Sequence, residues 1–125
     1  MRTLIYVSAL LFSGALLYAP YTYAGDAVTT MANIVIGFKH FPSDADKAAL
    51  AAITDGDSSD AVKSVAGAIA NISHKVTDAD KTTLEAIIAD DDASAPLREL
   101  AAIVSSLNHM PSADAVVSLE GLASR

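Results

Sequence analysis

The stretch His40–Leu50 reads HFPSDADKAAL, and it recurs twice further along the chain. The second copy, HKVTDADKTTL, occupies His74–Leu84, and the third, HMPSADAVVSL, occupies His109–Leu119. A structural unit that returns with a period near 34 residues is typical of repeat proteins, in which each unit covers its apolar face with its neighbours. The chain therefore contains three copies of one unit, each marked by a histidine.

Upstream of each histidine, large apolar residues stand 12, 9, 5 and 2 positions before it. The intervals of three, four and three residues place them along one face of an α-helix. The twelve residues are Val28, Met31, Val35 and Phe38; Val62, Val65, Ile69 and Ile72; and Leu97, Leu100, Val104 and Leu107. Each repeat is therefore expected to begin with a helix that buries this stripe and ends near the histidine.

Downstream of each histidine, a hydroxyl residue marks the start of a second helix. Ser43, Thr77 and Ser112 stand three positions after the histidines, and Ser and Thr are favoured N-caps because their oxygen accepts a hydrogen bond from a free backbone N–H. Asp46 and Asp80 follow the first two caps at the spacing of a capping box. The buried face of the second helix is then formed by residues ten and thirteen positions after the histidine: Leu50, Ile53, Leu84, Ile87, Leu119 and Leu122.

These patterns predict an all-α fold made of three helix–turn–helix repeats. The six short helices are expected near residues 26–39, 44–54, 59–73, 78–89, 95–108 and 113–123. No segment alternates with period two over the length of a strand, so no sheet is expected. The three hairpins could form a short open solenoid or close into a compact six-helix bundle. The small number of repeats favours the compact form.

The N-terminus has the features of a secretory signal peptide. Arg2 precedes an apolar run over residues 4–17, which is shorter than the roughly 20 apolar residues of a membrane span. Thr22 and Ala24 place small residues before a cleavage point at Gly25. The sequence thus predicts a leader over residues 1–24 and one helical-repeat domain over residues 25–125, located in the periplasm or secreted. An uncleaved anchor helix is the alternative.

Composition excludes several classes of function. The 125 residues carry 15 acidic and eight basic side chains, for a net charge of −7, and loss of Arg2 with the leader makes the charge near −8. Nucleic acid and anionic membrane surfaces are unsuited partners, because phosphate binding needs clustered basic residues. The chain has no cysteine, which excludes disulfides, thiolate metal sites and c-type haem attachment. No catalytic motif is present, so the protein is not expected to be an enzyme.

All three histidines of the chain, His40, His74 and His109, occupy the same repeat position. In one interpretation each closes its first helix, where its side chain bonds free carbonyls. In the other they bind a metal or cofactor, and neutral imidazoles suit copper, zinc or nickel. An open stack disfavours a shared metal, because packed helices lie about 8–10 Å apart. A closed bundle could bring the rings together.

The sequence supports two functional hypotheses of different classes. The leading one is a non-enzymatic interaction module that binds another envelope or periplasmic protein, since helical repeats commonly present binding surfaces. The alternative is a periplasmic metal- or cofactor-binding protein that uses His40, His74 and His109. The acidic run Asp90–Asp92 also invites a weak calcium site, although such runs are usually solvated loops.

Overall fold

The computed structural model describes residues 27–125, and over this range the chain forms six helices and no strand. In chain order they are α1 (27–36), α2 (Asp44–Asp55), α3 (Asp60–Ala70), α4 (Asp78–Ile88), α5 (Ala95–Ser105) and α6 (Ala113–Ala123). The all-α prediction with three helix pairs is confirmed. The leader over residues 1–24 and its cleavage point lie outside the described residues. No helix within residues 27–125 combines the length and the apolar run that a bilayer crossing requires.

The apolar stripes form a single core. All eighteen residues that the repeat pattern places on the two helix faces are buried, and they belong to one cluster. Ala66, Ala68 and Ala101 are also buried in α3 and α5, where small side chains let helices approach closely. No charged or polar residue is buried within residues 27–125, so this part of the fold is stabilised by apolar packing.

The first helix of each repeat ends three residues earlier than the sequence predicted. The expected ends were residues 39, 73 and 108, whereas α1, α3 and α5 end at residues 36, 70 and 105. A tight turn follows, in which Ile72 N–H donates to the carbonyl of Ile69 at 3.2 Å and Leu107 N–H donates to that of Val104 at 3.2 Å. The last apolar residue of each stripe therefore lies in this turn, and it is buried because the chain bends inward after the helix ends.

The predicted N-caps are present in all three repeats. Ser43, Thr77 and Ser112 have extended backbones, and their side-chain oxygens accept from the N–H three residues later. Ser43 forms a complete capping box with Asp46. In the second repeat the carboxylate of Asp80 instead accepts from the Thr77 hydroxyl at 2.9 Å and from the side chain of Asn71 at 3.1 Å. That second contact joins the end of α3 to the start of α4.

The three repeats close on one another. Helix α3 packs against α2, α4 and α5, and α5 also packs against α4 and α6. The backbone N–H of His40 donates to the carbonyl of His109 at 2.7 Å, which connects the first repeat directly to the third. The fold is therefore the compact bundle and not the open solenoid, because the two ends of an open stack would not meet.

Truncation of Ile69 tests the shared core. Ile69 is fully buried in α3, so Ile69→Ala should lower the free energy of unfolding by about 2–5 kcal/mol, through lost apolar transfer and a residual cavity. Val117→Ala is the control, because Val117 is 68% exposed in α6 and should change stability by less than about 0.5 kcal/mol. Urea melts measure both values. Equal effects of the two substitutions would contradict the assignment of the stripe.

Removal of a cap tests the start of the central hairpin. Thr77→Ala should lower the free energy of unfolding by about 0.5–2 kcal/mol, because the Asp80 N–H loses its acceptor at 3.1 Å. Thr82→Ala is the matched control within α4. The Thr82 hydroxyl only donates to the Asp78 carbonyl inside the helix, an arrangement that does not stabilise helices. Thermal melts in which Thr82→Ala lost as much stability as Thr77→Ala would rule out the cap as the cause.

Candidate metal centre

The three histidines meet at one end of the bundle. Each stands four residues after the first helix of its repeat ends and three residues before the N-cap of the second. His40, His74 and His109 thus occupy equivalent turns, and closure of the repeats brings these turns together. All three side chains are exposed to solvent.

A ring of backbone hydrogen bonds joins the histidines. His40 N–H donates to the carbonyl of His109 at 2.7 Å, His109 N–H donates to that of His74 at 2.6 Å, and His74 N–H donates to that of His40 at 2.6 Å. Each histidine therefore donates once and accepts once within the ring. The arrangement has approximate threefold symmetry, and it holds the three Cα positions around a common axis.

The histidine backbones are strained. Their φ angles are 66°, 70° and 67°, and they are the only non-glycine residues within residues 27–125 with positive φ. Phe41 N–H donates to the Lys39 carbonyl at 2.7 Å and Met110 N–H donates to the Asn108 carbonyl at 2.8 Å. A three-residue hydrogen-bonded turn with positive φ at its centre is the γ-turn that is rare and strained. Glycine adopts positive φ most easily, so histidine at these positions carries a conformational cost that glycine would avoid.

The imidazole rings converge on the axis. Their centroids lie 5.2 Å apart for His40 and His74, 5.3 Å for His40 and His109, and 5.2 Å for His74 and His109. The Nδ1 atom of His109 lies 3.2 Å from that of His40 and 3.3 Å from that of His74. One ligand nitrogen from each ring lies within 4.8 Å of the other two, and no other group of three potential side-chain ligands in residues 27–125 is this close.

Hydrogen bonds among the three imidazoles cannot pair all the nitrogen atoms that converge in this cluster. A neutral imidazole has one N–H and one lone pair, so the Nδ1 of a neutral ring either donates or accepts. Both short contacts share the Nδ1 of His109, which must therefore serve two neighbours with a single N–H or a single lone pair. A cation on the axis accepts the lone pairs of all three nitrogens at once. The convergence of Nδ1 atoms is thus better suited to a metal ion than to hydrogen bonding among the rings.

The spacing of the nitrogens fits a tetrahedral metal. With metal–nitrogen bonds of about 2.0–2.1 Å at tetrahedral angles, two ligand nitrogens are separated by about 3.3–3.4 Å. The two Nδ1 separations of 3.2 Å and 3.3 Å agree with this value within the tolerance expected of a metal site. The third pair of ligand nitrogens lies within 4.8 Å. Three imidazoles are the number of protein ligands that some open zinc sites use.

The structure separates the two interpretations of the histidines. The first interpretation placed each histidine in the last turn of a helix, with its side chain bonded to free carbonyls. It is wrong, because each helix ends four residues before its histidine and the imidazole rings contact one another. The second grouped His40, His74 and His109, and the structure does bring these residues together. The sequence pattern did not predict the left-handed turns. No glycine marks them, and the one available signal is the enrichment of histidine at positive φ.

The acidic loops do not form a comparable centre. Asp90 uses its carboxylate to accept from the N–H of Asp92 at 2.9 Å, which stabilises the turn before α5. Asp91 forms a surface ion pair with Arg98 at 3.8 Å. Within residues 27–125 no loop gathers three carboxylates at metal-binding distance.

No protein-family model, curated protein or solved structure matches the chain.

Replacement of a histidine by glycine tests whether the side chains support the fold. His74→Gly removes the side chain from a left-handed residue, a conformation that costs roughly 1–2 kcal/mol for an L-residue. The free energy of unfolding without metal should therefore stay unchanged or rise by up to about 1 kcal/mol. His74→Ala is the control, since it keeps the Cβ and should gain nothing. A loss of stability above about 1 kcal/mol in the glycine variant, measured by urea melts, would show that the imidazole has a structural role.

Proposed function

We propose that the protein is an exported metal-binding module that holds one Zn²⁺ ion through His40, His74 and His109. The observation that carries the proposal is the convergence of three exposed histidines from three strained turns, with one ligand nitrogen from each within 4.8 Å of the others and two Nδ1 separations of 3.2 Å and 3.3 Å. Strained backbone that recurs at one cluster of chemically capable side chains is a property of functional sites. An inherited turn without a function would be better served by glycine.

The symmetry of the cluster favours zinc among the three candidate metals. The three distances between ring centroids agree within 0.1 Å, so the imidazole rings are evenly spaced around the axis. Square-planar or tetragonal sites, which Cu²⁺ and Ni²⁺ prefer, place three ligands in a T with unequal separations. Zn²⁺ accepts a tetrahedral arrangement and binds imidazole readily, and Cu⁺ can share that geometry. Copper and nickel are therefore expected to bind more weakly than their place in the general affinity order suggests.

The metal is proposed as bound cargo or cofactor, and not as the element that holds the fold together. None of the three histidines belongs to the buried core, and the eighteen stripe residues pack without them. The backbone ring is likewise made by peptide groups and needs no imidazole. Loss of metal should therefore leave the protein folded, in contrast to small zinc domains that unfold without their ion.

Interaction with another envelope protein is the second candidate function. Two of the three large apolar side chains that are exposed in residues 27–125, Phe41 at 60% and Met110 at 55%, directly follow a cluster histidine. The partner would then cover the face that carries the metal. Cross-linking in an envelope fraction measures this contact. A Phe41→Ser/Met110→Ser variant should no longer cross-link to a partner that the wild-type protein captures, whereas Val117→Ser should still cross-link to it. Equal retention by both variants would contradict binding through this face.

Calorimetric titration with Zn²⁺, Cu²⁺ and Ni²⁺ tests the metal site. One Zn²⁺ ion should bind per chain, and zinc at 100 times its dissociation constant should stabilise the protein by about 2.7 kcal/mol. His74→Gly removes a direct ligand, so it should lower the affinity for Zn²⁺ by more than about 100-fold. Loss of a group that only contacts a ligand typically costs about 10–100-fold. Lys75→Gly, at the adjacent exposed position, is the control that should bind as the wild type does. Absence of zinc binding by the wild-type protein would overturn the proposal.

A further inference from the structure

The three-histidine site is open to solvent, because all three histidines are exposed. A tetrahedral metal held by three nitrogens keeps a fourth position, and the exposure of the histidines makes that position accessible to a further ligand.

The imidazoles also lack the outer contacts that usually tighten a metal site. A ligating histidine commonly donates its second ring N–H to a carboxylate or a carbonyl, which fixes the ring and raises its basicity. Among residues 27–125, the ring hydrogen bonds of His40, His74 and His109 are the two Nδ1 contacts within the cluster, and the Nε2 atoms have no protein partner. A metal bound here is held by three imidazoles whose Nε2 atoms receive no orienting contact from residues 27–125.

We propose that this centre hands its metal to an incoming ligand, so that the protein acts as a metal carrier and not as a permanent holder. The inference rests on the zinc site proposed above. The entering group is an acceptor that carries several neutral nitrogen donors of the imidazole class. Its first lone pair displaces water from the open fourth position and forms a metal–nitrogen bond, and each further donor then forms its bond to the metal as one histidine–metal bond breaks. No electron is transferred, and the metal leaves with its charge unchanged.

This exchange is associative, because the new bond forms before the old ones break. The alternative is dissociative release, in which the ion first leaves the three histidines unaided. The two routes differ in kinetics, since only the associative rate depends on the concentration of the entering ligand. The exposed fourth position supplies the path of entry, and a metal enclosed by four protein ligands would have none.

Stopped-flow transfer from the zinc-loaded wild-type protein to a chromophoric nitrogen chelator in excess tests the proposal. The observed rate should rise in proportion to chelator concentration over at least a tenfold range. In a second measurement, free imidazole added to the Co²⁺-loaded protein should change the visible spectrum as it enters the fourth position. Co²⁺ and imidazole in buffer without protein provide the control spectrum.

The outcomes distinguish this proposal from the one on which it rests. Zinc binding followed by transfer at a rate independent of chelator, with a cobalt spectrum that imidazole leaves unchanged, would overturn the carrier mechanism and retain the metal site. Failure to bind zinc or cobalt at all would overturn both. A rate proportional to chelator together with the spectral change supports the carrier mechanism.

Discussion

Three backbone hydrogen bonds run from one histidine to the next, from His40 to His109, from His109 to His74 and from His74 to His40. Each repeat contributes one donor and one acceptor, so every group in the ring is paired only when the third repeat meets the first. A linear stack of the same units would leave one N–H and one carbonyl without a partner. The grouping of the imidazoles depends on this closure, because it fixes how the three turns face one another.

The backbone ring requires an unfavourable local conformation at each histidine. Three residues with positive φ are held in place by a core in which eighteen stripe residues, from the six helices and the turns that follow α1, α3 and α5, are buried. Apolar burial contributes about 25 cal/mol for each Å² removed from water, and it opposes a strain of roughly 1–2 kcal/mol at each histidine. Strain of this kind persists where the surrounding structure determines it, and it is characteristic of sites with a function. Stability and side-chain chemistry therefore favour different residues at these positions.

The sequence predicted the features that depend on local spacing. Apolar intervals identified the buried stripe, including Ile69, and hydroxyl residues such as Thr77 identified the helix starts, because both follow from the geometry of a single helix. The turns between the helices could not be predicted in this way. His40 adopts positive φ because its N–H pairs with a carbonyl 69 residues away, at His109, and that contact exists only in the closed bundle. The early end of each first helix has the same origin, since residues 37–39 leave the helix to reach the ring.

Repetition and closure together explain how one histidine per repeat becomes a site. Copying a unit copies its histidine whether or not that residue is used, and in an open stack the copies would be separated by the 8–10 Å between helix axes. Cyclic closure instead places equivalent atoms of the three units around one axis, so a single residue type at a single repeat position yields three converging ligands. Inheritance and use are therefore not competing explanations of the three histidines. The repeat accounts for the number and the equivalence of the histidines. The backbone ring brings their nitrogen atoms to separations at which two of them can bind the same metal ion.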